Sequence, residues 1–149
     1  MKKFFGTDGI RGLANTHPIN QEFIQKLAYS LGKSIKKNTK SVCKVLIGKD
    51  TRVSCDMIEA SLVSSFLSIG IDCIILKPTP TALVSFMTRK LKCDLGIMIS
   101  ASHNPFYDNG IKVFKNNGEK LNDKDELRIE KMIDKYKFPK FLVTKQIGK

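Results

Sequence analysis

The 149-residue sequence has no apolar run long enough to cross a bilayer, no paired cysteines and only two histidines, His17 and His103. The first shortage argues against a membrane helix or a membrane partner. The opening Met-Lys-Lys-Phe-Phe has a charged pair followed by only two apolar residues, so a signal peptide is not expected. Cys43, Cys55, Cys73 and Cys93 form no C-x-x-C pair and show no metal-ligand spacing. Three of them fall in or beside expected core strands, where a thiol acts as a small hydrophobe. Reduced cysteines in a cytoplasmic protein are the expectation. With so few histidines and no G-x-S-x-G elbow, a Ser-His hydrolase site is poorly supported.

Acidic residues are also scarce, 14 against 26 lysines and arginines, which leaves a net charge of +12. Only Arg11, Arg52, Arg89 and Arg128 are arginines, and the lysines are spread along the chain. No aromatic platform lies among them, so a lysine-coated solvated surface is favoured over nucleic-acid binding. Such a charge would still draw in an anionic small substrate.

What is present alternates between two periods. Asn20 is placed to cap a helix reaching about Lys37, with Phe23, Ile24, Leu27, Leu31 and Ile35 on one face. Val42–Ile47 reads as a short strand, and Ser54 as the cap of a second helix stopped by Gly70. Ile71–Leu76 reads as a strand, followed by Thr79 as cap and Pro80 at the first position of a third helix to about Lys92. Strands at 93–99 and at Ile111–Phe114 follow, joined by an expected turn at Asp108-Asn109-Gly110 that makes one pair antiparallel. Asn122 is placed to cap a last helix ending near Tyr136, and Lys137–Lys149 reads as a linker. The order predicts one α/β domain over residues 1–136, a three-layer α/β/α sandwich with a mixed, mainly parallel sheet.

Reactive side chains concentrate in Ile99-Ser100-Ala101-Ser102-His103-Asn104-Pro105 and on through Tyr107 to Lys112. This is a strand end, where open α/β sheets place their chemistry. Ser102 is the best candidate nucleophile, although a serine needs an activating environment. His103 is adjacent, and successive side chains rarely face each other. By itself the stretch reads as a turn; the density of reactive groups around it favours a reactive loop. Lys112 points away from the face of Ile111 and Val113, either to hold an anion or move a proton, or as an edge-strand charge against aggregation. Gly6-Thr7-Asp8-Gly9-Ile10-Arg11-Gly12 could bring backbone amides and an arginine to a phosphate, or be only a sharp turn. Gly48-Lys49-Asp50-Thr51-Arg52 is a similar, weaker case. The acidic run Asp123-Lys124-Asp125-Glu126 fits the first turn of a helix better than a metal site.

Phe5–Gly12, Gly48–Arg52, Pro78–Thr81 and above all Ser100–Lys112 together resemble the α-D-phosphohexomutases, and the Phe-Gly-Thr-Asp-Gly-Ile-Arg-Gly opening favours the bacterial phosphoglucosamine mutase branch. The resemblance spans essentially the whole chain and implies the family's first domain. It implies that Ser102 is carried as phosphoserine, that His103 and Lys112 serve proton transfer and phosphate contact, and that Thr7, Gly9, Arg11 and Arg52 line the phosphate site. It also implies a phosphosugar substrate and Mg²⁺, to which phosphorylated Ser102 contributes one ligand. The family's Asp-Gly-Asp-x-Asp-Arg metal loop and its sugar- and phosphate-recognition loops do not occur in this sequence. The chain alone is therefore expected to be inactive and to need a separate fragment carrying three further domains. The alternatives are a phosphoglucomutase or phosphomannomutase domain, or a truncated, non-catalytic remnant acting as an interaction module.

Overall fold

The computed structural model describes residues 2–36, 42–137 and 142–149. Five strands, β1 (Ile10–Leu13), β2 (Lys44–Lys49), β3 (Asp72–Ile75), β4 (Leu95–Ile99) and β5 (Asp108–Lys115), form one sheet in the order β1-β5-β4-β2-β3. The β2–β3 and β2–β4 pairs are parallel, whereas β5 is antiparallel to both β4 and β1. Four strands thus run one way and β5 runs against them.

Four helices cover the sheet: α1 (Gln21–Lys36), α2 (Cys55–Ser68), α3 (Thr81–Lys90) and α4 (Asp123–Asp134). The alternation of side chains along the strands explains the layering. Val45, Ile47, Ile97, Ile99, Ile111 and Val113 pack with apolar residues of α1, α2 and α4 in the larger core. Leu46, Met98 and Phe114 turn the other way and meet Val84 of α3. The sheet is covered on both faces, as the sandwich reading requires.

The asparagine caps behave as expected: Asn20 Oδ1 accepts from the Phe23 amide and Asn122 Oδ1 from the Asp125 amide. Ser54 stands at the start of α2 but makes no side-chain cap; its hydroxyl instead accepts from Asn109. The start of α3 is displaced by one residue, with Pro80 rather than Thr79 as the cap. The end expected for the first helix, at Lys37, lies outside the described residues.

Two expectations need correcting. Asp108-Asn109-Gly110 is not a turn: it opens β5 and pairs with Leu13, Gly12 and Arg11. The chain reverses earlier, within residues 101–107. Ile10-Arg11-Gly12, read as the end of a glycine loop, lies in strand β1. Of the expected linker, residues 142–149 pass the carboxyl end of α2, where the Gly148 amide donates to Leu67 O, and reach β3 at Lys149, whose O accepts from the Cys73 amide.

Candidate active site

The parallel register of β2 and β4 sets Lys49 beside Ile99, so their carboxyl ends open together. Asp50 follows the first strand and Ser100 the second. This is where the chemistry of an open α/β sheet is expected. The loop from Ala101 to Tyr107 rises there, with Ser102 and His103 both exposed.

Ser102 has a φ of 58°, in the left-handed region. For a residue with a Cβ this costs about 1–2 kcal/mol. The opposing force comes from Arg52. Its Nη1 donates to Pro105 O at 2.6 Å and Asp108 O at 2.9 Å, and its Nη2 to Ser102 O at 2.8 Å and Asn104 O at 2.9 Å. Its Nε donates to Asp50 Oδ2 at 3.1 Å. All five guanidinium N–H groups are engaged. Arg52, expected at the phosphate site, directs its donors at the serine loop and Asp50 in this structure.

Beneath the loop lies a connected polar group. The Ser102 amide donates to Ser100 Oγ at 3.0 Å, and Ser100 hydrogen-bonds the Asp50 carboxylate. Cys55 Sγ donates to Asp50 Oδ1 at 3.1 Å and accepts from Asn109 Nδ2 at 3.3 Å. Burial works to raise the Asp50 carboxyl, but the bonds from Ser100, Cys55 and Arg52 outweigh it and hold the group below its ordinary value. The Cys55 thiol is pushed up to about 11 by burial, so near neutral pH it serves as a neutral hydrogen-bonding group.

The glycine loop meets the same region from β1. Gly9 has a φ of 87°, and a Cβ there would lie 2.3 Å from Ile111 O, so only glycine permits this approach to β5. Arg11 pairs in register with Gly110, and its Nη1 donates to Asn104 Oδ1 at 2.8 Å while Nη2 reaches Asp8 Oδ2 at 3.2 Å. Its Nε is buried with no hydrogen-bond partner among the described residues. Asp8 also accepts from Lys120, and that bond is the main cause of its lowered pKa.

Thr7, Asp8, Gly9, Lys112 and Lys120 line an open cleft of about 550 Å³. Lys112 is buried on the Met98 face of the sheet, opposite Ile111 and Val113, and makes no ion pair within 4 Å among the described residues. Burial, then the Arg11 guanidinium, lower its pKa. The candidate residues therefore fall into two adjoining groups. Thr7, Gly9 and Lys112 line the cleft, Ser102 and His103 stand on the loop outside its lining, and Arg11 bridges the two.

The described residues contain no group of three or more His, Cys, Asp or Glu able to hold a metal. Asp123 and Glu126 pair with Lys2, in keeping with a helix-start role. Asp50 already accepts from Ser100, Cys55 and Arg52, and among the described residues no cluster of carboxylates stands with Ser102; this donor set does not by itself fit Mg²⁺. Asp50, Ser100, Asn104 and Asn109 were not singled out from sequence. The signal available was their place inside the two loop motifs, without the long-range partners that give them a role.

Together these features define a three-layer α/β/α domain that presents one serine on an arginine-clamped loop at a strand end. The chain belongs to the phosphoglucomutase/phosphomannomutase family, whose alpha/beta/alpha domain I matches residues 2–140. Phosphoglucosamine mutases from Pseudoalteromonas translucida (strain TAC 125) and Magnetococcus marinus are 49% and 51% identical over 133 and 132 residues, 89% of this chain in both cases. The chain spans only 29% and 27% of their lengths. Among solved structures, a Thermus thermophilus protein described as a phosphomannomutase superposes with a TM-score of 0.77 at 30% identity, covering 89% of this chain and 30% of that one. A Paramecium pp63/parafusin phosphoglucomutase in its open form gives 0.72 at 24% identity, over 90% of this chain and 26% of that one, and supports the fold alone.

Proposed function

We propose that this chain is the phosphoserine-bearing first domain of a phosphoglucosamine mutase, which interconverts glucosamine 6-phosphate and glucosamine 1-phosphate. The observation that carries the reading is the exposed Ser102, held in a left-handed conformation on a loop whose carbonyls are fastened by Arg52. Relatives of that name, about half identical to this chain, supply the choice of sugar.

In this reading the phosphoryl group leaves Ser102 Oγ, its P–O bond breaking as a new one forms to the sugar 1-hydroxyl. The hydroxyl proton passes to a base and the serine oxygen regains one. The bisphosphate then turns, and its 6-phosphoryl group returns to Ser102, releasing glucosamine 1-phosphate. Lys112, with its lowered pKa, is suited to take and return a proton, and exposed His103 is the second candidate. Phosphate is attracted by the Lys112 and Lys120 ammonium groups, with Thr7 and Gly9 shaping the cleft and the Arg11 charge beside it. Mg²⁺, to which phosphorylated Ser102 would give one oxygen, would take its carboxylates from elsewhere in the enzyme. The chain alone is therefore inactive in this reading, and the cytoplasm, consistent with reduced Cys55, Cys73 and Cys93, is its compartment.

The test mixes the chain with a fragment carrying the remaining domains, Mg²⁺ and a hexose 1,6-bisphosphate primer. Mutase activity that appears only in the mixture and is lost in Ser102→Ala supports the proposal. An inert mixture favours a non-catalytic remnant, and faster turnover of glucose or mannose phosphates favours the sister activities.

A further inference from the structure

Arg52 stands 50 to 56 residues in sequence from the four carbonyls it binds, and among the described residues no other side chain holds so much of the serine loop. Its side chain is 11% exposed and its charge is offset by Asp50 at 3.1 Å. Little of that charge remains to attract a phosphate from solution. What the group supplies is number and direction of donors: a planar fork reaches acceptors that a single ammonium could not reach together. A trans peptide sets its N–H opposite its C=O. With Ser102 O and Pro105 O turned onto the guanidinium, the amides of His103 and Phe106 therefore face away from it.

We propose that Arg52 is a positioning residue, which holds Ser102 in its left-handed, presented conformation through hydrogen-bond number rather than charge. Asp50 completes the device by holding Nε and, through Ser100, the Ser102 amide. The proposal rests on the reading of Ser102 as phosphoryl carrier only for its functional consequence; the effect on the loop is independent of it.

The experiment compares wild type, Arg52→Lys and Arg52→Ala by amide hydrogen exchange. The reporters are the Ser102, Asn104 and Asp108 amides, which bond in and beside the loop, and the Ile97 and Phe114 amides, in the β2–β4 and β4–β5 ladders, serve as sheet references. Arg52→Lys is expected to exchange about tenfold faster in the loop, the scale of one lost charge-assisted bond, and Arg52→Ala, which loses all four carbonyl bonds, faster still, with the references unchanged. Millimolar guanidinium should restore protection in Arg52→Ala. If Arg52→Ala loses the fold, seen as exchange of the references, Arg52→Lys carries the test. Loop exchange equal to wild type in either variant, or full protection in Arg52→Lys, overturns the proposal. In the mixture with the remaining domains, Ser102 phosphorylation by the bisphosphate should slow in Arg52→Lys at unchanged half-saturation. A raised half-saturation at unchanged maximal rate would make Arg52 a substrate-binding residue instead. Wild type that takes up no phosphoryl group overturns the carrier role, while exchange alone decides the role of Arg52.

Discussion

Glu130 on α4 fastens the N-terminal segment that leads into the glycine loop. Its Oε1 accepts from the Phe4 and Phe5 amides at 2.7 and 2.9 Å, and its Oε2 from the Lys3 amide at 2.8 Å. The residue is 4% exposed. Glu130→Ala orphans three donors. The Phe5 amide is buried and costs about 1–3 kcal/mol, while the partly buried Lys3 and Phe4 amides turn to water at about 1 kcal/mol each. The sum, roughly 3–5 kcal/mol, is a large share of the 5–15 kcal/mol typical of a domain. At about 2–4 °C per kcal/mol the melting temperature should fall by about 6–20 °C. Burial raises the Glu130 carboxyl, and the bonds from the Phe5, Lys3 and Phe4 amides more than cancel this, leaving it below its ordinary 4.5. A carboxyl lowered on folding stabilises above its unfolded value and loses that contribution as pH falls through its folded one. Urea titrations of wild type and Glu130→Gln should differ by about 1–2 kcal/mol at neutral pH and converge as pH drops below 4.5. An Ala variant within ~1 kcal/mol of wild type, or a Gln difference that ignores pH, would refute the reasoning.

Gly9→Ala should destabilise by about 2 kcal/mol or more, because its φ is 87° and the new Cβ would meet Ile111 O at 2.3 Å. Gly6→Ala, whose Cβ would make ordinary contact at 3.5 Å, should melt near wild type; equal melting temperatures for the two variants would contradict the packing of the loop on β5. The Cys55 and Cys73 thiols, pushed up to about 11 and 12 by burial, should resist alkylation near neutral pH until the chain is unfolded. Rapid native-state labelling, read by peptide mass, would count against that burial.

Helix periodicity and the two asparagine caps were legible because both signals lie within a few residues of each other. Lys112 was placed on the correct face for the same reason, since strand alternation is local. The β1 strand was not: Ile-Arg-Gly-Leu carries no strand signature, and it is a strand because β5 lies alongside it. Asp108-Asn109-Gly110 has the composition of a tight turn, and tertiary contacts override it. Asn109 is fully buried, with its side-chain amide on Ser54 and Cys55, and Gly110 lies where a Cβ would meet Ser100 O at 2.8 Å. The role of Arg52 was hidden similarly. Its acceptors are backbone carbonyls half a domain away, and carbonyls leave no mark on residue type.

The central claim is that Ser102 carries the phosphoryl group, and peptide mapping tests it most directly. After incubation with the hexose bisphosphate and the remaining domains, the 149-residue chain should gain one phosphoryl group, mapped to Ser102, and Ser102→Ala should gain none. A phosphoryl group found on another residue, or undiminished uptake by Ser102→Ala, would contradict the account.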